Sequence, residues 1–224
     1  MFEFQGVWLP DGEKHFPEWM AKHGELVNGK GTYQIKKLRA ALSYCRNFRT
    51  AVDVGAHVGM WSVHLAPRFQ SLHAFEPVPQ FRECYERNVT HRDHTYLYPC
   101  ALGREEGRVR MQIDVASTGG TFVGESSPDR DKRDGWAPSY TLDSFGLADV
   151  DFVKMDCEGF EHHVVAGAEE TLRRCRPTII VEQKSHKLAG NFGISNRPAL
   201  ELLQSFGAKV RKEMGGDFIL TWDE

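Results

Sequence analysis

Ala51-Val52-Asp53-Val54-Gly55-Ala56-His57-Val58-Gly59 decides the fold of this chain. The apolar run ends in a glycine-bearing turn, a helical pattern follows over 59–67, and a second apolar run, Leu72-His73-Ala74-Phe75, closes on Glu76 and Pro77. Strand, glycine turn, helix and a second strand ending in an acid make the first half of a nucleotide-binding α/β sheet. A dinucleotide site needs three closely spaced glycines so that backbone amides reach a pyrophosphate. Here His57 holds the middle position and only Gly55 and Gly59 remain, spaced Asp-x-Gly-x-x-x-Gly. Such a turn suits a ligand without phosphates.

Working outward, strand signals recur at 50–54, 71–75, 95–100, 151–155, 177–181, 208–214 and 217–222, and helical patterns at 59–67, 79–90, 162–174 and 197–206. Ile35, Leu38, Leu42 and Cys45 add a helix ahead of the first strand. Alternating strands and helices predict a mainly parallel, Rossmann-like α/β sheet covered on both faces. Gly215-Gly216 between two strand patterns predicts a terminal antiparallel hairpin. We therefore expect residues 1–49 to form a cap and helix, the first 31 of them irregular but packed, and 50–224 to form the main domain, as one folding unit. Residues 107–140 interrupt the alternation with alternating Val109, Met111, Ile113 and Val115 and then a glycine- and serine-rich stretch, expected to act as a lid or substrate loop, with a simple surface hairpin as the alternative.

At 224 residues and 41% apolar, the chain supports one sizeable core. Its formal net charge of −3 is spread through mixed runs such as Asp129-Arg130-Asp131-Lys132-Arg133-Asp134. No basic stripe offers itself to a nucleic-acid backbone. Five cysteines without a Cys-x-x-Cys pair read as the reduced thiols of a cytoplasmic protein. The N-terminus lacks the basic-then-apolar order of a secretory signal, and no apolar run reaches membrane-spanning length.

The Asp53–Gly59 turn resembles motif I of the S-adenosylmethionine-dependent methyltransferases. In that reading Gly55 admits the methionine part of the cofactor, Asp53 orders the turn, and Glu76 accepts hydrogen bonds from the ribose hydroxyls. His57, Gly59, Pro77, Cys100, Ala101 and Asp156 complete the expected cofactor set. A second stretch is more specific. Thr141-Leu142-Asp143, then Asp151-Phe152-Val153-Lys154-Met155-Asp156-Cys157-Glu158-Gly159-Phe160-Glu161, then Gly167-Ala168 and Arg176-Pro177 before a strand ending in Glu182, is similar to the signature of the FkbM methyltransferases. The chain departs from it at Cys157, where an aliphatic residue is usual, and at Cys100. The resemblance covers roughly residues 50–186 and implies the class I methyltransferase fold and O-methylation of a hydroxyl on a small molecule or glycan.

Methyl transfer from a sulfonium is an in-line displacement, so acceptor oxygen, methyl carbon and sulfur must be aligned and the acceptor proton removed. Asp156, Glu158 and Glu182 fall where the parallel strands end, and ligands bind there in open α/β sheets. They are the candidate catalytic residues, with His186 on the following loop as a further proton acceptor. Asp156 and Glu182, with Gln183 next in sequence, also suit a hard divalent ion such as Mg²⁺. Lys154 is an alternative countercharge. A pocket rich in hydrogen-bonding groups favours a sugar, with Ser117, Thr118 and Thr121 contributing and Trp61, Trp136 and Phe160 stacking on it. A nucleotide-dependent oxidoreductase and a non-catalytic binding module are the competing readings, the first opposed by the absent third glycine and the second by the intact carboxylates.

Overall fold

The computed structural model describes residues 1–90, 93–114, 117–124, 132–184 and 197–223. Two small hairpins flank a helix at the N-terminus: β1 (Phe2–Phe4) with β2 (Val7–Leu9), α1 (His15–His23), and β3 (Leu26–Val27) with β4 (Lys30–Gly31). The first 31 residues are thus more regular than expected. Asn28-Gly29, both at positive φ, is a strong two-residue hairpin signal that the reading of this stretch as irregular passed over. Glu13 supplies the acceptor that α1 lacks at its start, taking the Phe16 N–H at 2.9 Å. Phe16 and Met20, four residues apart and both buried, form the inner face of α1. α2 (Ile35–Leu42) buries Ile35, Leu38 and Ala41 at helical spacing.

The main sheet begins with β5 (Thr50–Val54), crosses over through α3 (Ser62–Leu65) to β6 (Ser71–Phe75), and through α4 (Pro79–Asn88) to β7 (Thr95–Tyr98). The chain then leaves it. β8 (Ala101–Leu102), β9 (Gly107–Asp114), β10 (Phe122–Val123) and β11 (Lys132–Tyr140) make a second sheet in the order β10-β9-β11-β8. The excursion is therefore built largely from strands, as its alternating Val109, Met111 and Ile113 foreshadow. β12 (Val150–Met155), α5 (Glu161–Ala166), α6 (Glu169–Cys175), β13 (Thr178–Glu182), α7 (Pro198–Ser205), β14 (Ala208–Met214) and β15 (Asp217–Trp222) complete the main sheet. Its order is β14-β15-β13-β12-β5-β6-β7. β15 runs antiparallel between β13 and β14, joined to β14 by Gly215 and Gly216 at φ 62° and 88°, the backbone that a primed hairpin turn demands.

Two expected helices are shorter than their periodicity. The segment 59–67 is α-helical only at Ser62–Leu65, and 162–174 is divided into α5 and α6. At the division a side chain on Gly167 would put its Cβ 2.0 Å from the Gly103 carbonyl oxygen, so two chain segments cross in contact there. Asp143 of the Thr-Leu-Asp motif restarts the helix by accepting the Glu170 and Thr171 N–H groups at 3.0 and 2.8 Å.

The central strands are buried on both faces, as a parallel sheet requires. Val52, Val153, Ile179 and Val181 pack with Val164, Leu172 and Leu203 on one side. Ala51, Phe152 and Ile180 pack with Leu38 and Leu65 on the other. Strict alternation then assigns Asp53, Lys154 and Glu182 to this second face. Among the described residues no helix is long and apolar enough to cross a membrane.

Candidate active site

Strand register makes the first polar contact. β5 and β12 pair Asp53 with Lys154, and their charges meet at 3.2 Å with both side chains buried. The Lys154 ammonium also donates to the Val54 and Gly55 carbonyls at 3.2 and 2.6 Å, and the second Asp53 oxygen accepts the Ser62 hydroxyl at 2.7 Å. Asp53 therefore ties β5, β12 and α3 together behind the turn and is absent from the cleft wall. Gly55, at φ +70°, has the Asp156 carbonyl oxygen where a Cβ would stand, at 2.1 Å. The turn and the end of β12 can close on each other only with glycine there. Gly59 has its Cβ space filled by Tyr85 and Val89. It packs α4 and stands outside the wall.

The cleft above this junction has a volume of about 370 Å³. It lies at the carboxyl ends of the strands, where the order reverses between β5 and β12, the usual ligand position in such sheets. Of the residues singled out from sequence, Gly55, His57, Glu76, Pro77, Ala101, Asp156, Glu158 and Glu182 line it, as do Trp61, Phe160, Ser117, Thr118 and Thr121. Cys100 belongs to the apolar core instead, where burial pushes its thiol up to about 11. Trp136 is 62% exposed beside Arg108, away from the cleft. His186 lies outside the described residues.

Each ligand-facing group has a definite environment. The Glu76 carboxylate accepts the His57 N–H and the Val78 N–H, both at 2.8 Å, leaving further lone pairs on each oxygen. Burial raises it to about 7 against those hydrogen bonds. His57 sits at φ +52° with its ring 4.2 Å from that of Phe81 and 5.2 Å from that of Phe16. Burial and the Lys154 charge keep it neutral, near 3. Among the described residues neither of its ring nitrogens finds a hydrogen-bond partner, nor does the indole N–H of the buried Trp61.

Asp156, Glu158 and Glu182 bring one carboxylate oxygen each to within 4.8 Å of one another. Strand alternation does not do this, because β12 ends at Met155. Glu158 at φ +53° and Gly159 at φ +104° fold the chain back instead. Glu161 holds that turn, accepting the Cys157 and Gly159 N–H groups at 2.7 and 3.2 Å. It is itself buried, which raises it to about 7, and it receives the Gln183 amide at 3.3 Å. Gln183 thus points inward, its carbonyl oxygen accepting Ala199 N–H at 3.0 Å, and Glu158 takes the place near Asp156 and Glu182 that sequence adjacency had given to Gln183. Glu161 stood in the quoted signature, yet its positioning role shows only in three dimensions. Burial, then the nearby Asp156, raises Glu182 to about 8, although the Lys184 ammonium pairs with it.

An aromatic stretch of the cleft was not foreseen. His15, Phe16 and Trp19 of α1 and Tyr33 form it. Glu13 couples this wall to the excursion, since its second oxygen accepts both the N–H of Thr118, at 2.7 Å, and the Thr118 hydroxyl.

Solved structures share this fold. The FkbM methyltransferase of Methylobacillus flagellatus KT aligns at a TM-score of 0.53 and 14% identity over 81% of this chain, which spans less than half (45%) of that protein's length. The fibrillarin pre-rRNA processing protein of Methanococcus jannaschii aligns at 0.51 and 10% identity, over 89% of this chain and 81% of its own. No curated protein matches the sequence. The model of the methyltransferase FkbM domain matches residues 53–214, from the buried Asp53 through the carboxylate turn to the end of β14. The chain belongs to the FkbM methyltransferase family.

Proposed function

We propose that the chain is an S-adenosylmethionine-dependent O-methyltransferase acting on a hydroxyl of a small molecule or glycan, specifically a sugar. The observation that carries this reading is the convergence of Asp156, Glu158 and Glu182 in the cleft that also holds Gly55 and Glu76. The volume falls in the range of small-molecule sites. The unpartnered donors of Trp61 and His57 fit a polar ligand beside the turn, since buried polar groups in native proteins are normally paired.

When bound, S-adenosylmethionine supplies an electrophilic methyl on its sulfonium. Glu76 holds the ribose, and the Gly55 turn leaves room for the chain beyond it. At the other end Glu182 takes the acceptor hydroxyl proton, a task suited by a carboxyl raised to about 8. Asp156 and Glu158 orient the acceptor oxygen. As the new oxygen–carbon bond forms, the carbon–sulfur bond breaks and its electron pair stays on sulfur. In this proposal residues 107–140 act as the lid. The free cysteines support a cytoplasmic setting.

A divalent ion such as Mg²⁺ is a second reading of the same carboxylates, favoured by their mutual approach within 4.8 Å. It requires the Lys184 ammonium to leave Glu182, and activity that survives exhaustive chelation would remove it. The main test is S-adenosylhomocysteine release from the purified protein offered pools of sugars, polyols and phenols. Glu182→Gln and Asp156→Asn should lower turnover by ~10²–10⁴-fold while S-adenosylmethionine still binds. Wild-type turnover in both variants, or faster methylation of phenols than of any sugar, would end this reading.

A further inference from the structure

Among the described residues four carboxylates line the cleft, those of Glu76, Asp156, Glu158 and Glu182, together with the ammonium groups of Lys154 and Lys184. Lys154 is committed behind the turn to Asp53 and two carbonyls. S-adenosylmethionine, with a sulfonium, an ammonium and a carboxylate, adds one net positive charge. With Lys154 neutralised by Asp53, and with all four carboxylates ionised, the cleft stays negative with the methyl donor in place. The same cleft is lined by rings from the cap. Tyr33 meets Phe16 at 4.8 Å and Trp19 at 4.7 Å, with interplanar angles of 74° and 64°. The three rings make a corner instead of a stack, so ring faces are turned in more than one direction. Tyr33 is close enough to Asp156 and Glu182 for their charges to act on its hydroxyl. Aromatic faces beside carboxylates are the usual receptor for an organic ammonium ion. The Lys184 ammonium already pairs with Glu182, which leaves Asp156 and Glu158 as the acids for an incoming ammonium. The aromatic wall lies outside residues 53–214, so it belongs to this chain's own cap and not to the matched family region.

We propose that the acceptor carries an ammonium group, held between the Trp19–Tyr33 corner and the Asp156–Glu158 carboxylates, and is thus an aminopolyol or amino sugar whose neighbouring hydroxyl receives the methyl. This rests on the methyltransferase reading and narrows its substrate class. The anchored nitrogen makes no bond to the methyl carbon. It fixes the acceptor, and the wall excludes water from one side of it.

The test is calorimetry on the full chain loaded with S-adenosylhomocysteine, titrated with glucamine and with sorbitol, which differ by an amine in place of one hydroxyl. Glucamine should bind ~10-fold or more tightly than sorbitol. The difference should shrink to about threefold or less in Glu158→Gln and in Trp19→Leu, the second of which leaves the carboxylates intact. Equal binding of the two polyols, binding of neither, or a Mg²⁺ ion that binds the loaded protein and excludes glucamine would overturn the proposal. S-adenosylmethionine binding to the unloaded protein is measured in parallel. If that fails, the methyltransferase reading itself falls, whereas success there with no preference for glucamine removes only the ammonium anchor.

Discussion

The two walls of the cleft are built by different means. The sheet wall, from Asp53 to Glu182, is set by register: Asp53 meets Lys154 because β5 and β12 pair them, and Glu182 ends β13 on the same face. The cap wall, with Phe16, Trp19 and Tyr33, is set by ring contacts, by the packing of Phe16 and Met20 against Val58 and Phe81, and by the Glu13 carboxylate as its link to Thr118. A register is shared by several strands, whereas a single side chain links α1 to Thr118. The sheet wall should therefore fail only with the whole fold, and the cap wall should loosen on its own.

The largest effect should come from breaking the buried pair. Lys154→Met leaves Asp53 charged and enclosed, and should cost about 3–5 kcal/mol of stability in chemical denaturation. A loss below about 1 kcal/mol would mean that register alone does not need this ion pair. Glu13→Ala removes the acceptor from the N–H groups of Phe16 and Thr118, and should cost about 1–3 kcal/mol. Limited proteolysis should then cut the first 31 residues faster while α2, packed on the sheet, and the rest stay protected. If both walls become equally susceptible, the contrast between them is wrong.

A smaller effect should appear with pH. Glu76 and Glu161 are raised to about 7 and Glu182 to about 8, so below these values the folded chain holds protons that the unfolded chain has already lost. Their contribution to stability falls as pH rises from about 4.5 to 8. His57 and His64, lowered by burial to about 3 and 4, work in the opposite sense, but only up to the unfolded histidine value of about 6.5. With three raised carboxyls against two lowered histidines, the ligand-free protein should show an unfolding temperature that falls gently from pH 5 to 6.5 and goes on falling from 6.5 to 8. A rise over that last interval would contradict the raised carboxyls.

The same contrast explains what could be read from sequence. The strands of the sheet wall are apolar runs with fixed termini, so periodicity and glycine turns located β5, β6, β12, β13 and the Gly215-Gly216 hairpin, and the acids at their ends followed. Asp53 was legible as a turn residue, but its place behind the turn depends on which neighbour it pairs with. Glu158 arrives beside Glu182 through a positive-φ turn held by Glu161, a contact no strand periodicity encodes. The cap was opaque for another reason. Its hairpins are two or three residues a strand, too short for a period to register, and only Asn28-Gly29 marked one of them. The contacts of Phe16, Trp19 and Tyr33 with the cleft join segments whose separation in sequence gives no clue to their meeting.

Calorimetry of S-adenosylmethionine binding to the wild type and to Glu76→Ala tests the central claim most directly, because Glu76 is proposed to accept two ribose hydrogen bonds at the end of β6. The wild type should bind, and the variant should bind more weakly by about 2–4 kcal/mol. Equal affinity in the two proteins, or a wild type that binds NAD in preference to S-adenosylmethionine, would contradict the account.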